Sequence, residues 1–354
     1  MKDLREATRI VGVMSGSSLD GIDLALCSFK AEDGHWAFTL EKAATVPYST
    51  ALHERLLHAT QASAVELTRL HRDIGTAIGN ACDDLLQGSS ADAIASHGHT
   101  LFHQPDEGLT FQAGSGAHIA AITGLPTVCD FRTMDVALGG QGAPLVPLGE
   151  QVLFPGQKAF LNLGGIANIA LHGGEKPIGY DVCPCNQVLD GLAQEAGSAY
   201  DTNGDLARTG TVDTALLARL DALPFYTSPP PRSLGREWFE ENIKPLLAAT
   251  IPLADRMRTG VEHIAGLVAK ELDASGAETV LVTGGGAHNG FLVERIAALS
   301  TVRPELPSKE LIDYKEAVIF AVLGLLRLRG EHNTLASVTG AARGSIGGAV
   351  YLPY

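Results

Sequence analysis

The apolar and polar positions first mark a strand, a turn of small residues and a second strand. The stretch Gly12-Val-Met-Ser-Gly-Ser-Ser-Leu-Asp-Gly-Ile-Asp23 lies between Ile10-Val11 and Leu24-Ala25-Leu26. Residues 36–44 continue as a further strand of the same sheet. Ser63 with Glu66 three residues on is a capping-box start. Leu70, Ile74, Ala77, Ile78, Ala81 and Leu85 then follow at helical spacing. A short strand over 92–96 runs into His97-Gly-His-Thr100, and a small-residue helix over 116–123 leads to a strand over 126–131. Residues 138–147, dense in Gly and Pro, read as a hinge or an inter-domain crossing. The opening pattern then recurs about one domain length later. Residues 158–163, the pair Gly164-Gly165 and residues 168–172 are again strand, glycine turn, strand. Helices are predicted at 187–196, 211–220, 236–247 and 254–272, and the β-branched run 278–283 predicts a buried strand. That strand ends in Gly284-Gly285-Gly286, followed by a helix over 289–299. A last helix, 314–328, is apolar nearly all round and is expected to be well buried.

Composition narrows the partners. At 354 residues two domains are the prior. Forty acids against 26 bases give a net charge of −14, which argues against a nucleic-acid surface or an anionic membrane patch. Phosphates must then be held by local amides and metal. Five scattered cysteines, no apolar signal core at the start and no membrane-length apolar run together imply the cytoplasm.

Several stretches carry candidate chemistry. In the first turn, Gly16 and Gly21 free the backbone, Ser15, Ser17 and Ser18 add hydroxyls, and the amides suit an anion. Asp20 and Asp23 supply charge for a magnesium ion bound to that anion, directly or through water; a plain hairpin is the alternative. The loop Gly284-Gly285-Gly286-Ala-His-Asn289 sits between strand and helix, where amides favour phosphate and glycines leave room for a flat base. No Gly-Lys pair exists, so a Walker loop is absent. Asp181 is a candidate general base at a strand tip, or a turn residue. Cys183 and Cys185 read as packing before zinc. His97 and His99 suit a polar substrate, with His103 equally a structural histidine. Arg132 suits a carboxylate, or else pairs with Asp130 or Asp135. Arg232 and Arg236 are available for anions, and Glu316 opens an apolar helix.

Taken in order, these motifs resemble the anhydro-N-acetylmuramic acid kinases of the sugar kinase/Hsp70/actin superfamily. The matching residues are Met14 to Asp23, His97 to Thr100, Asp130-Phe-Arg132 with Gly139 to Pro144, Asn162 to Asn168, Asp181 with Pro184 and Asn186, Pro231 to Glu237, Gly284 to Asn289, and Glu316-Ala317. The resemblance implies an α/β fold of two ribonuclease-H-like domains with an interdomain ATP cleft. The expected division is 1–132 with about 345–354, against 133–344. Gly16, Ser17, Ser18, Leu19, Asp20, Gly21, Ile22 and Asp23 would hold the γ-phosphate and Mg2+. Asn162, Gly164 and Gly165 would hold the other phosphates, and Gly284, Gly285, Gly286 and Asn289 the adenosine. Asp181 would deprotonate the water that opens the 1,6-anhydro sugar, while Ser15, His97, Thr100, Arg132 and Glu316 face that substrate. The implied product is N-acetylmuramic acid 6-phosphate, made in peptidoglycan recycling by a homodimer. Departures stand at Val182, Cys183 and Cys185, where Thr and two Gly are usual, at His99 in place of Gln, and at Ser17 in place of Thr. They keep open another anhydro sugar such as levoglucosan, or a nucleotide-binding regulator without turnover.

Overall fold

Strand β1 (Thr8–Ser15) is apolar on both faces, as a strand covered by helices on each side must be. Ile10, Val11 and Val13 have no exposed surface. In the computed structural model, residues 7–16, 19, 21–32, 35–174, 177–230, 232–247 and 250–354 are described. Ser17, Ser18, Asp20 and Pro231 lie outside the described residues. The chain divides into two compact units, Met1–Pro155 with Tyr314–Tyr354, and Gly156–Asp313.

In the first unit, β1, β2 (Ile22–Glu32) and β3 (His35–Val46) form an antiparallel meander. Strand β4 (Ala93–Gln104) pairs parallel with β1, and β6 (Thr127–Cys129) parallel with β4. Strand β5 (Leu109–Ala113) folds back on β4, and a C-terminal strand, Ala349–Tyr351, closes the edge beside β6. The core order is therefore β3-β2-β1-β4-β6, the ribonuclease-H-like arrangement. Helices Ala64–Leu86 and Gly116–Thr123 cover one face through Leu70, Ile74, Ile78 and Ile119, against Val11, Val13 and Ile94. The helix Lys309–Arg329 meets the other face, where a Cβ on Gly12 would stand 1.8 Å from the Ala317 carbonyl oxygen. A Cβ on Gly324 of that helix would stand 2.4 Å from the Ala95 Cβ. Only a glycine in β1 lets this helix lie so near the strand that leads into the first turn.

The second unit repeats the plan. Strands β7 (Ala159–Leu163), β8 (Ile166–Leu171) and β9 (Ile178–Pro184) are antiparallel, while β10 (Thr279–Thr283) and β11 (Arg303–Glu305) extend the sheet in parallel from β7. Order β9-β8-β7-β10-β11 matches that of the first unit. Leu161, Leu163, Ile169, Val182, Val280 and Val282 pack one face onto the helices Leu253–Ser275, Asn186–Glu195 and Gly290–Leu299.

Several expectations need correction. The strand read as ending at Ser96 runs on to Gln104, because β5 pairs with its second half. Gly98 permits this at φ +75°, where a Cβ would lie 2.6 Å from the Ala113 carbonyl oxygen. The helix expected over 236–247 is broken into an α turn, a π turn at Phe239–Ile243 and a 3-10 turn at Lys244–Leu246. Pro245 lacks the N–H such a helix needs and crowds the preceding turn. The helix expected from Thr211 starts at Thr214, since Asp213 accepts the N–H groups of Ala215 and Leu216. The last helix starts at Lys309, behind the Ser308 hydroxyl that accepts the Leu311 N–H.

The division between units also falls later than residue 132. The helix Val146–Leu153 packs Gly149 against Ile319, and Phe154 meets Phe38 edge-on at 5.7 Å, which holds residues 133–155 in the first unit. The segment 138–147 is no crossing. Gln141 donates to the Thr339 carbonyl, and Gly142 to Asp135. Among the described residues, no helix is long and apolar enough to cross a membrane.

Candidate active site

Ligands of open α/β sheets bind beyond the carboxyl ends of the parallel strands. In the first unit Ser15 ends β1, His97, His99 and Thr100 lie where β4 leaves its parallel pairing with β1 and β6, and Arg132 follows β6. Ser15 is the register neighbour of His99, and its Oγ lies 2.9 Å from His99 Nδ1 and 2.6 Å from the Tyr48 hydroxyl. The His97 ring is buried, with Nδ1 2.9 Å from the Gly98 carbonyl. That contact puts the proton on Nδ1 and leaves Nε2 to accept the Arg132 Nε–H at 2.9 Å. Burial, then the Arg132 charge, hold His97 well below its ordinary pKa, so it stays neutral. The Phe320 ring, 4.6 Å away, backs it.

Arg132 pairs with neither Asp130 nor Asp135. Asp130 takes the Thr133 hydroxyl, while Asp135, fully buried, accepts the Gly142 N–H at 2.8 Å and the Thr339 hydroxyl at 2.7 Å. Arg132 Nη1 donates to the Gly142 carbonyl at 2.7 Å. Asp135 thus shapes the loop that shapes Arg132, a role the sequence spacing did not separate from an ion pair. Nη2 of Arg132 has no acceptor among the described residues. Burial lowers the guanidinium to about 10, against the pull of Glu316, so it is cationic at neutral pH.

Glu316 stands open to solvent between the buried Lys315 and Ala317. Even so, the protein around its carboxyl displaces water and raises its pKa, with Lys315 and Arg132 opposing and Asp23 adding to the rise. Lys315 is held 2.8 Å from the buried Glu150. Asp23, second in β2, accepts the Thr45 hydroxyl at 2.6 Å. Gly16 and Leu19 close the described part of the turn, Leu19 N–H donating to the Gly16 carbonyl at 3.4 Å. Gly21 and Ile22 are buried, and a Cβ on Gly21 would press on the Val46 carbonyl, so both serve packing. Thr100 is exposed.

In the second unit the turn Gly164-Gly165 after β7 and the loop after β10 lie side by side. A Cβ on Gly284 would sit 2.6 Å from Asn162 Oδ1, and one on Gly286 2.8 Å from Leu163 Cβ. Those two glycines are needed for packing. Gly285 and Gly165 are exposed, with no backbone atom in their way. The N–H groups of Gly164 and Gly165 have no acceptor among the described residues. A bare face with unspent donors fits a phosphorylated nucleotide. Asn289 Oδ1 caps the following helix through the Leu292 N–H, and His288 pairs with Asp313.

Asp181 stands inside β9, not at its tip. Its Oδ2 accepts the Leu234 N–H at 2.8 Å and the Ser233 hydroxyl at 3.2 Å. Oδ1 has no partner among the described residues. Burial raises its pKa, opposed by those two bonds. Arg232 is not available for anions. It donates to the Ser228 and Asp181 carbonyls and to Glu271, and lies over the Tyr180 and Phe225 rings. Its work is to clamp β9 to the loop that supplies Leu234. Cys183 and Cys185 are buried free thiols, raised by burial, Cys185 to about 12.

Residues 8–353 match the family model for anhydro-N-acetylmuramic acid kinase. Among similar curated proteins, the anhydro-N-acetylmuramic acid kinase of Gloeobacter violaceus is 38% identical, covering 96% of this chain and 97% of its own. That of Xanthomonas oryzae pv. oryzae is 39% identical, covering 96% of each. The Vibrio cholerae protein of the same name is 36% identical over 99% of this chain and all of its own.

Proposed function

Since the chain belongs to the anhydro-N-acetylmuramic acid kinase family, and is accordingly an ATP-dependent phosphotransferase for that sugar, we propose that Asp181 is the base of its hydrolytic step. The observation that carries this reading is a carboxylate with one oxygen anchored and the other unspent. Water attacks the anomeric carbon and gives one proton to Oδ1 of Asp181. The bond from that carbon to O6 breaks, and O6 forms a bond to the γ-phosphorus as the bond to ADP breaks. When bound, ATP supplies the phosphoryl group that captures the departing oxygen.

The chain's own residues orient and hold. Arg132 keeps Nη2 for the lactyl carboxylate, while Nε donates to His97 and Nη1 to Gly142. This supports the lactyl sugar over levoglucosan. Glu316 and Thr100 complete the sugar contacts, whereas His97, buried with both ring nitrogens taken, acts through Arg132, and Ser15 is held behind them by His99 and Tyr48. The amides of Gly164 and Gly165 suit phosphate oxygens, and Gly285 offers a flat surface to adenine; Asn162 and Asn289 flank them. Magnesium commonly binds one or two carboxylates together with substrate phosphates. Asp23 fits that part, and Asp20, outside the described residues, is proposed for the same role. The reading includes a cytoplasmic homodimer, with five unpaired thiols supporting a reducing compartment. Light scattering on the purified chain tests the dimer.

A positioned base contributes about 10²–10⁴-fold. Asp181→Asn is expected to lower kcat by that order in a folded protein, read by coupled ADP release. Wild-type turnover in ¹⁸O water should place label at C1 of the sugar phosphate. An unlabelled product would end the hydrolytic reading.

A further inference from the structure

We infer that Asn168 positions the attacking water against Asp181, an inference that rests on the proposed role of Asp181 and deepens it. Register in the second unit sets Thr283 beside Asn162, Asn162 opposite Asn168, and Asn168 opposite Asp181. Their strand neighbours Leu163, Ala167, Ile169, Tyr180 and Val182 belong to the core on the other face. Side chains alternate along a strand, so the four polar residues form one lateral row on one face. Residues directly opposite across antiparallel strands have Cβ atoms about 5 Å apart.

Two features set this row apart from a merely polar sheet face. The first is a bulge: β9 carries one extra residue, Val182, immediately after Asp181, where the ladder with β8 shifts register. Bulges re-aim a side chain and recur beside active sites. The second is unspent hydrogen-bonding capacity. Asn168 and Asn162 are half-buried, and neither amide has a partner among the described residues. At the end of the row Thr283 has no exposed surface, and its Oγ1 has no hydrogen-bond partner among the described residues. Groups so placed ordinarily find a partner in protein or ordered water.

The chemistry of the step assigns the amide a task. A water whose one hydrogen goes to Asp181 Oδ1 and whose lone pair goes to the anomeric carbon has one hydrogen left. Asn168 Oδ1 accepts that hydrogen, which stays on the oxygen and ends on the new C1 hydroxyl. No proton or electron pair passes to Asn168. Its effect is to fix the rotation of the water about its bond to the base, a proximity effect of about 10–100-fold.

Full-length Asn168→Ala and Asn168→Asp variants test this. For Asn168→Ala, kcat should fall about 10–100-fold, with both KM values nearly unchanged. Its Tm should equal or exceed that of the wild type, because an unpartnered amide is gone. Asn168→Asp sets a second carboxylate opposite Asp181, and like charges raise one another's pKa. The acid limb of its kcat profile should therefore move to higher pH. Unchanged kcat in Asn168→Ala, an unmoved acid limb in Asn168→Asp, or a loss confined to the KM for ATP would overturn the inference. Each variant is run beside the wild type in ¹⁸O water. Absence of label in the wild type would count against the role of Asp181 itself, whereas a labelled wild type with an unimpaired Asn168→Ala counts against Asn168 alone.

Discussion

Asp181 and Arg132 show how a single side chain's role is set by what its other atoms already hold. Asp181 has its pKa raised by burial despite two hydrogen bonds, so the folded state binds its proton more tightly than the unfolded chain does. The sign follows: stability from this group is present below the unfolded carboxylate pKa and is lost as pH rises through the folded value. Asp181→Asn is therefore expected to match or exceed the wild-type Tm at neutral pH, the margin vanishing in acid, as calorimetry across pH would read. Activity runs the other way, kcat/KM falling as pH drops through that raised value. At Arg132 one donor nitrogen remains for substrate. Hydrogen bonds to charged groups contribute about 1.5–3 kcal/mol, so Arg132→Ala should raise the KM for the lactyl sugar about 10–100-fold. Its KM for an anhydro sugar lacking the carboxylate should barely move. Equal effects on both sugars would remove the lactyl contact.

Between elements, glycines divide into those that let backbones meet and those that leave a surface bare. Gly284, at φ +83° and with Asn162 Oδ1 in the place of its Cβ, belongs to the first kind. Gly285, exposed and unobstructed, belongs to the second. Gly284→Ala should lose stability by about 1–3 kcal/mol in urea unfolding. Gly285→Ala should keep its urea midpoint and raise the KM for ATP several-fold. The sequence displayed three glycines in a row without ranking them, because a Cβ clash depends on a neighbouring strand that the local pattern does not name. The same holds for Gly12, whose necessity lies in a helix some three hundred residues further on. Elements themselves were better resolved: both glycine hairpins, the capped helix after Ser63 and the buried last helix follow from short-range periodicity. The failure at 236–247 is also local, since Pro245 was in plain view.

For the whole molecule, the first unit is built from both ends of the chain. Buried Asn333 donates to the Leu323 and Gly347 carbonyls and accepts the Gly347 N–H, while the Arg327 side chain donates to Gly348. These bonds seat the strand Ala349–Tyr351 on β6. Deleting residues 345–354 would leave that amide short of partners and expose a sheet edge. The expected loss is about 3 kcal/mol or more, with aggregation through the bared strand, measured as soluble yield and urea midpoint.

The order of motifs along the chain determined by itself the α/β class, the duplicated hairpin plan and the family, because each depends on spacing within a few dozen residues. It also named Asp181, Arg132 and Glu316 as the charged groups to watch. Only the folded sheets decided that Arg232 is a clamp, that Asp135 serves a loop, and that Asn162, Asn168 and Asp181 share one row. Lateral register joins residues from separate strands, and a single bulge shifts it by one position, so strand periodicity alone holds no record of which polar groups end up side by side.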